Sequence, residues 1–153
     1  MWCRWIDPAR LAIGGGSAGG NLAAVTAVRA REEDGPPLAC QLLVNPSCDN
    51  DPARYPSMVD NATGYMLTAT VMGWLSDQYL PPGVDRTDHR VSPMQAASLA
   101  GLPATQIVTA EFDPLRDEAV AYAARLAGDG VNVVHRPRCV SCARSPAAPR
   151  ECR

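Results

Sequence analysis

A serine surrounded by small residues is the first feature of this sequence that could carry chemistry. Gly15-Gly16-Ser17-Ala18-Gly19 matches the pattern G-x-S-x-G, in which a serine nucleophile occupies a sharp turn between a strand and a helix. Such a turn strains the serine backbone, and neighbours without bulky side chains let strand and helix approach each other. Ser17 is therefore the predicted nucleophile, and the glycines form its turn. The amide of Ala18, at the helix N-terminus, is a predicted donor to an oxyanion.

The same glycines fit a second pattern. Gly14-x-Gly16-x-x-Gly19 also matches the fingerprint of a dinucleotide-binding turn. That fold expects an acidic residue at the end of the next strand, about 20 residues further on. Asp49 follows the next apolar run but lies well beyond that distance. Dinucleotide binding therefore stays open as the less favoured alternative.

A second candidate residue, Asp113, follows the apolar run 106–110 and precedes Pro114. An aspartate at the end of a strand, with proline at the first position of the next helix, lies at the edge where open α/β sheets place their sites. Alone, such a residue is more readily explained as a helix cap. The chain order of serine followed by aspartate favours the acid of a catalytic triad.

Neither of the two histidines stands where the general base of a triad is expected. His135 ends the last apolar run, before the loop in which the base would lie, so we interpret it as structural. His89 precedes Asp113 in the chain, and that order disfavours it as the base.

Four short apolar runs predict buried strands at 11–14, 41–45, 106–110 and 131–135. Helices are predicted at 18–31, with Leu22, Val25 and Val28 on one side, and at 115–126. This alternation is typical of an α/β fold, a mostly parallel sheet with flanking helices.

Residues 49–90 interrupt the alternation, and they predict a short cap-like insertion rather than a second domain. Thr68 is the expected N-cap of one helix there. Aromatic and methionine side chains of this insertion could line an acyl pocket or form plain core: Tyr65, Met66, Met72, Trp74 and Tyr79.

Composition argues against several other classes of protein. The chain has 153 residues, 46% of them hydrophobic, which is enough for one domain with a core, and its net charge of −2 disfavours binding to nucleic acid or an anionic membrane. No apolar run is long enough to span a membrane, and the first residues lack the apolar core of a signal peptide, so we expect a cytoplasmic protein. The six cysteines form no disulfide framework, and Cys139-x-x-Cys142 lacks a second ligand pair, so no metal and no cofactor is expected.

Longer motifs add a resemblance to a known family. The elbow from Gly15 to Ala24 and the acid segment Asp113-Pro114-Leu115-Arg116-Asp117-Glu118 resemble those of the bacterial hormone-sensitive-lipase family of carboxylesterases, which have the α/β-hydrolase fold. The segments 43–46, 61–68 and 92–94 are similar to the landmarks between them, so the resemblance covers roughly 7–136. It implies a cofactor-free hydrolysis of short- to medium-chain carboxylic esters through an acyl-enzyme on Ser17.

The sequence departs from that family at three places. Gly16 stands where the family usually has aspartate, and only sixteen residues precede Ser17, so the family's upstream His-Gly-Gly-Gly oxyanion loop has no counterpart. The histidine segment, Pro-Gly-x-x-His-Gly-Phe in the family, is also missing. Residues 1–136 are therefore expected to be the C-terminal part of a hydrolase domain, truncated at both ends and impaired in activity. The alternative is a non-catalytic esterase remnant, and an uncovered sheet edge could cause self-association.

The residues after Arg136 have no periodicity and are rich in arginine, proline and cysteine. This irregular tail, 137–153, is interpreted as translated out of frame. Residues 137–144 can be encoded by CCC CGG TGC GTT TCA TGC GCT CGT, and removal of one base gives CCC GGT GCG TTT CAT GCG CTC. The shifted frame reads Pro-Gly-Ala-Phe-His-Ala-Leu, which resembles the missing histidine segment. Sequencing the gene tests this, since the shifted frame must contain a histidine codon at that point.

Overall fold

Two β-α-β units make up the sheet and its helices. The structure is a computed structural model that describes residues 7, 10–51, 54–65 and 67–138. The first unit consists of β1, Leu11–Gly16, α1, Ala18–Glu32, and β2, Leu38–Val44. The second consists of β3, Ala104–Ala110, α4, Arg116–Gly128, and β4, Val133–Arg138.

The four strands are all parallel and lie side by side in chain order, β1-β2-β3-β4. Gly16 pairs with Val44, and Val44 pairs with Val108, so the carboxyl ends of β1, β2 and β3 meet at one edge of the sheet. The predicted α/β fold class is confirmed.

Both long helices cover the same face of this sheet. One buried core cluster contains Val28 of α1, Leu43 of β2, Ile107 of β3 and Tyr122 of α4. On the opposite face the side chains stay accessible, and Leu42, Val44 and Val134 are 45%, 39% and 45% exposed. The described residues therefore bury one side of the sheet, whereas parallel sheets normally bury both.

Two details of the predicted helices are wrong. Leu22 was expected on the buried side of α1, yet it is 54% exposed, because alanines such as Ala24 and Ala27 make the close contact with the sheet. Helix α4 begins at Arg116 with Leu115 as its N-cap, so Pro114 precedes the helix rather than occupying its first position.

Residues 45–103 form the insertion between the two units. It contains a single-turn helix α2, Ser57–Asp60, the helix α3, Ala69–Tyr79, and a short 3-10 helix, Pro93–Gln95. The side chain of Thr68 accepts a hydrogen bond of 3.2 Å from the amide of Val71, so its predicted role as N-cap of α3 is confirmed.

The last strand extends further than the sequence predicted. Pro137 and Arg138 had been assigned to the irregular tail, but they pair with Thr109 and Ala110 of β3 and belong to β4. Proline is tolerated there because β4 lies at the edge of the sheet that the described residues form. The rest of the tail, 139–153, including Cys139 and Cys142, lies outside the described residues.

Candidate active site

Ser17 occupies the tight turn between β1 and α1, in a strained backbone conformation with φ 53° and ψ −121°. A positive φ is rare for any residue other than glycine and persists only where surrounding contacts enforce it. Here the amide of Ser17 donates to the carbonyl of Val44 at 2.9 Å, and its carbonyl accepts from the amides of Gly20 and Asn21 at 2.9 and 3.1 Å. The strand and the helix together therefore hold the turn.

The hydroxyl of Ser17 is not used to cap the helix. A serine at the N-cap normally accepts a hydrogen bond from an amide of the first turn, but Ser17 makes no such side-chain bond. Both Ser17 and Ala18 are exposed. The amide of Ala18 is the first of the helix, where backbone donors have no intrahelical acceptor. A hydroxyl and an amide donor are thus presented together at the positive end of α1.

The glycines of the turn differ in what they contribute. A Cβ on Gly15 would lie 2.3 Å from the backbone of Gly19, so only glycine permits this approach of β1 and α1. At Gly20 a Cβ would lie 2.8 Å from Pro46. Gly16 and Gly19, which were also expected to be needed for close approach, leave room for a side chain. The close contact therefore rests on Gly15 and Gly20.

Two residues after β2 hold the elbow and were not recognised in the sequence. The amide of Ser47 donates to the carbonyl of Ser17 at 3.3 Å. Asn45 has a φ of 42°, and its side-chain oxygen accepts from the amide of Ala110 at 2.8 Å. The signal was an Asn-Pro pair directly after an apolar run, since asparagine tolerates positive φ and such pairs initiate turns.

Asp113 lies beyond the carboxyl end of β3, two strands away from β1 and at the same edge as Ser17. Two strand spacings are roughly 10 Å, so a further side chain must lie between the two residues if they are to act together. Oδ1 of Asp113 accepts from the amide of Leu115 at 2.8 Å, and no described residue donates to Oδ2. Burial raises the pKa of Asp113, whereas the hydrogen bond from the amide of Leu115 acts to lower it.

The loop of Asp113 is held by the insertion. Asn61 donates from Nδ2 to the carbonyl of Asp113 at 3.2 Å, and the hydroxyl of Ser57 donates to the carbonyl of Pro114 at 2.6 Å. The ring of Tyr65 stacks on Phe112 with centroids 5.5 Å apart. Tyr65 therefore packs against the acid loop.

Both histidines lie away from Ser17. His89 Nε2 is 3.3 Å from a carboxylate oxygen of Glu32, at the far end of α1. Since α1 has 15 residues, that end is about 22 Å from Ser17. His135 Nε2 is 2.9 Å from the hydroxyl of Thr109, and β4 is three strand spacings, about 14 Å, from β1.

A buried carboxylate, Glu118, lies behind the loop that supports the elbow. Its Oε1 accepts from the amide of Cys48 at 2.7 Å, and its side chain is fully buried. Burial raises the pKa of Glu118 to about 8. The thiol of Cys48, also buried, has a raised pKa for the same reason.

A cavity of about 510 Å³ opens beside Ser17. This volume is within the range of small-molecule sites. Its lining is mostly apolar and comes from the elbow, α1, the insertion and the start of α4; it includes Ser17, Leu22, Met58, Met72, Tyr79 and Leu115. Met72 and Tyr79 are therefore cavity residues, while Met66 lies outside the described residues. Trp74 is 60% exposed and does not belong to the lining.

A family model described as alpha/beta hydrolase fold matches residues 2–138, and so includes the elbow, the acid loop and all four strands. The chain belongs to this family. The predicted resemblance to hormone-sensitive-lipase-like esterases is confirmed. The carboxylesterase NlhH of Mycobacterium tuberculosis is 44% identical over 131 residues, which cover 83% of this chain and 40% of that protein.

Two further proteins match this chain over a similar share of their own length. The ethyl acetate hydrolase of Pseudomonas putida is 37% identical over 131 residues, covering 84% of this chain and 40% of that protein. A crystal structure of a thermostable esterase from Pseudomonas putida superposes with a TM-score of 0.81 at 42% identity, covering 84% of this chain and 41% of that one. The chain thus spans about two fifths of the length of these relatives.

The described residues also bear on dinucleotide binding and on metal binding. The carboxylate of Asp49, which the dinucleotide interpretation would need, is buried and accepts from Tyr55 and Arg54 at 2.9 Å each. Those bonds tie Asp49 to the insertion. In the part of the chain that the structure describes, no three acidic, histidine or cysteine side chains cluster so as to hold a metal ion. No helix there is long and apolar enough to cross a membrane.

Proposed function

We propose that this α/β-hydrolase chain carries the nucleophile and the acid of a serine carboxylesterase. The observation that carries the proposal is the conformation and position of Ser17. Its backbone is strained, its hydroxyl does not cap the helix that it begins, and the residue lies on the wall of an apolar cavity. Strain of this kind is typical of functional residues. The names of the relatives, carboxylesterase and ethyl acetate hydrolase, support an ester as substrate.

In the proposed reaction, the hydroxyl oxygen of Ser17 attacks the ester carbonyl and the alcohol leaves, which gives an acyl-enzyme that water then hydrolyses. The amide of Ala18 donates to the oxyanion of the tetrahedral intermediate. Asp113 orients the base and stabilises its protonated form, and its Oδ2, to which no residue in the described part of the chain donates, is the acceptor for that contact. We propose short- to medium-chain acyl esters as substrates and no cofactor.

The base is the missing member of this arrangement, because His89 and His135 are both held elsewhere. We therefore expect very weak turnover of p-nitrophenyl butyrate by this chain, since loss of a triad member removes several orders of magnitude of rate. Added imidazole should restore part of the rate by acting in place of the histidine side chain.

The decisive control is Ser17→Ala, assayed at each imidazole concentration to subtract the reaction of imidazole itself. An imidazole-dependent rate that is lost in Ser17→Ala and reduced in Asp113→Asn supports the proposal. Equal rates for the parent chain and Ser17→Ala at every concentration would refute it. A high rate without imidazole would show that one of the two histidines moves to serve as the base.

We also propose that the chain self-associates through the edge of β1 that no described strand pairs with, and through the exposed sheet face beside it. Leu42, on β2 next to this edge, is 45% exposed, and exposed apolar faces and strand edges favour association. Sedimentation velocity should show dimers or larger species that weaken in Leu42→Lys. Val120→Lys, at a similarly exposed position on α4, is the matched control and should leave association unchanged. A monomer at all concentrations would contradict this proposal.

A cytoplasmic location is proposed on the free thiols of Cys40 and Cys48, which a reducing compartment preserves. Recovery of the protein from an oxidising compartment with either thiol in a disulfide would contradict it.

A further inference from the structure

One face of α3 forms a wall of the cavity beside Ser17. Its lining residues recur at helical spacing, namely Ala69, Met72, Gly73, Leu75, Ser76 and Tyr79. None of the residues of α3 is buried, so the helix borders the cavity without filling it. Among these lining residues, Ala69, Gly73 and Ser76 are small and leave open space between the larger side chains.

Gly73 is the residue on this wall that the local structure does not require. Glycine in the middle of a helix costs roughly 1 kcal/mol relative to alanine. It is usually retained where φ is positive or where another backbone approaches closely. Gly73 has neither reason, since it is absent from the glycines of positive φ and a Cβ there would meet no heavy atom within 4 Å. The absence of a side chain at Gly73 therefore leaves room in the cavity.

We infer that Gly73 determines the length of acyl chain that this site accepts, by leaving space along α3 for the part of the chain furthest from the ester carbon. The inference rests on the proposed function, because the acyl group is the part of an ester that stays bound to Ser17. The walls near this path include Met58, Leu67 and Met72, which suit methylene groups rather than polar ones. The ligand class is thus a medium-chain acyl group.

Binding of product carboxylates to the intact chain tests this without turnover. Isothermal titration calorimetry with butyrate and octanoate should show tighter binding of octanoate, since its longer chain buries more apolar surface. Gly73→Leu should weaken octanoate binding by about tenfold, the loss expected if two methylene groups remain in water, and should change butyrate binding less than about twofold.

Gly128→Leu is the matched control, because Gly128 also lies in a helix, has no neighbour within 4 Å of a built Cβ and is not part of the cavity. It should leave both affinities unchanged. Leucine favours helix, so neither variant should lower the melting temperature. An unchanged octanoate affinity in Gly73→Leu, or an equal loss for butyrate and octanoate, would overturn the inference, as would a parent chain that does not bind octanoate.

The outcome is separable from that of the proposed function. Ser17→Ala should still bind octanoate, because the alanine leaves the apolar walls intact. If octanoate binding depends on Gly73 but no imidazole-dependent hydrolysis is found, the acyl site stands and the esterase proposal fails. If hydrolysis is found and octanoate binding is indifferent to Gly73, the esterase proposal stands and this inference fails.

Discussion

The backbone at Ser17 is strained, and this strain should lower the free energy of unfolding by a measurable amount. Ser17→Gly removes the steric conflict at φ 53°, whereas Ser17→Ala keeps it. We expect the glycine variant to be more stable than the alanine variant by about 1 kcal/mol, a rise in melting temperature of roughly 2–4 °C for a chain of this size. Thermal unfolding followed by circular dichroism measures the difference.

The comparison is informative because glycine normally destabilises a folded protein relative to alanine through its larger unfolded-state entropy. A glycine variant less stable than the alanine variant would mean that the turn is relaxed. Ser17 would then adopt its conformation without strain, and its backbone would give no sign of a functional role.

Among the elements, the approach of α1 to β1 depends on Gly15 and not on its neighbour Gly16. Gly15→Ala would place a methyl group 2.3 Å from the backbone of Gly19, so we expect a loss of about 1–3 kcal/mol or more. Gly16→Ala meets only the carbonyl of Val44 at 3.6 Å and should change stability by less than about 1 kcal/mol, in the stabilising direction. Chemical denaturation of both variants gives the two values. Equal losses would show that the elbow packs differently.

The same elements show how far a sequence can predict this fold. The strand-helix alternation, the N-cap at Thr68 and the turn at Ser17 follow from local patterns, and the structure places them as expected. Leu22 was misplaced because hydrophobicity alone marks leucine as buried, while close helix-sheet contact selected alanine. The brace formed by Asn45 between β2 and β3 is a long-range contact, which single-sequence periodicity does not report.

For the whole molecule, Glu118 makes stability depend on pH. Its pKa is near 4.3 in an unfolded chain and rises to about 8 on folding, so the folded state holds the proton more tightly. Stability from this group is complete below the unfolded pKa and is lost as pH rises toward about 8. The free energy of unfolding should fall between these values by at most about 1.4 kcal/mol per pH unit.

Glu118→Gln should remove this dependence, because the amide does not titrate and its oxygen still accepts from Cys48. Urea unfolding across this pH range gives the free energies. Glu111→Gln, at an exposed carboxylate, is the control that should retain the parent slope. A parent protein as stable at the alkaline end as at the acidic end would contradict the raised pKa of Glu118.

The strand order, which follows the order of the chain, has a consequence for how the protein folds. Within each β-α-β unit the pairing strands are near in sequence, so β1 with β2, and β3 with β4, need only short loops to close. The pairing of β2 with β3 must enclose residues 45–103, and its larger loop entropy delays it. The two halves should therefore form first and dock last. Ser17 belongs to the first half and Asp113 to the second, so the candidate site exists only once β2 has paired with β3.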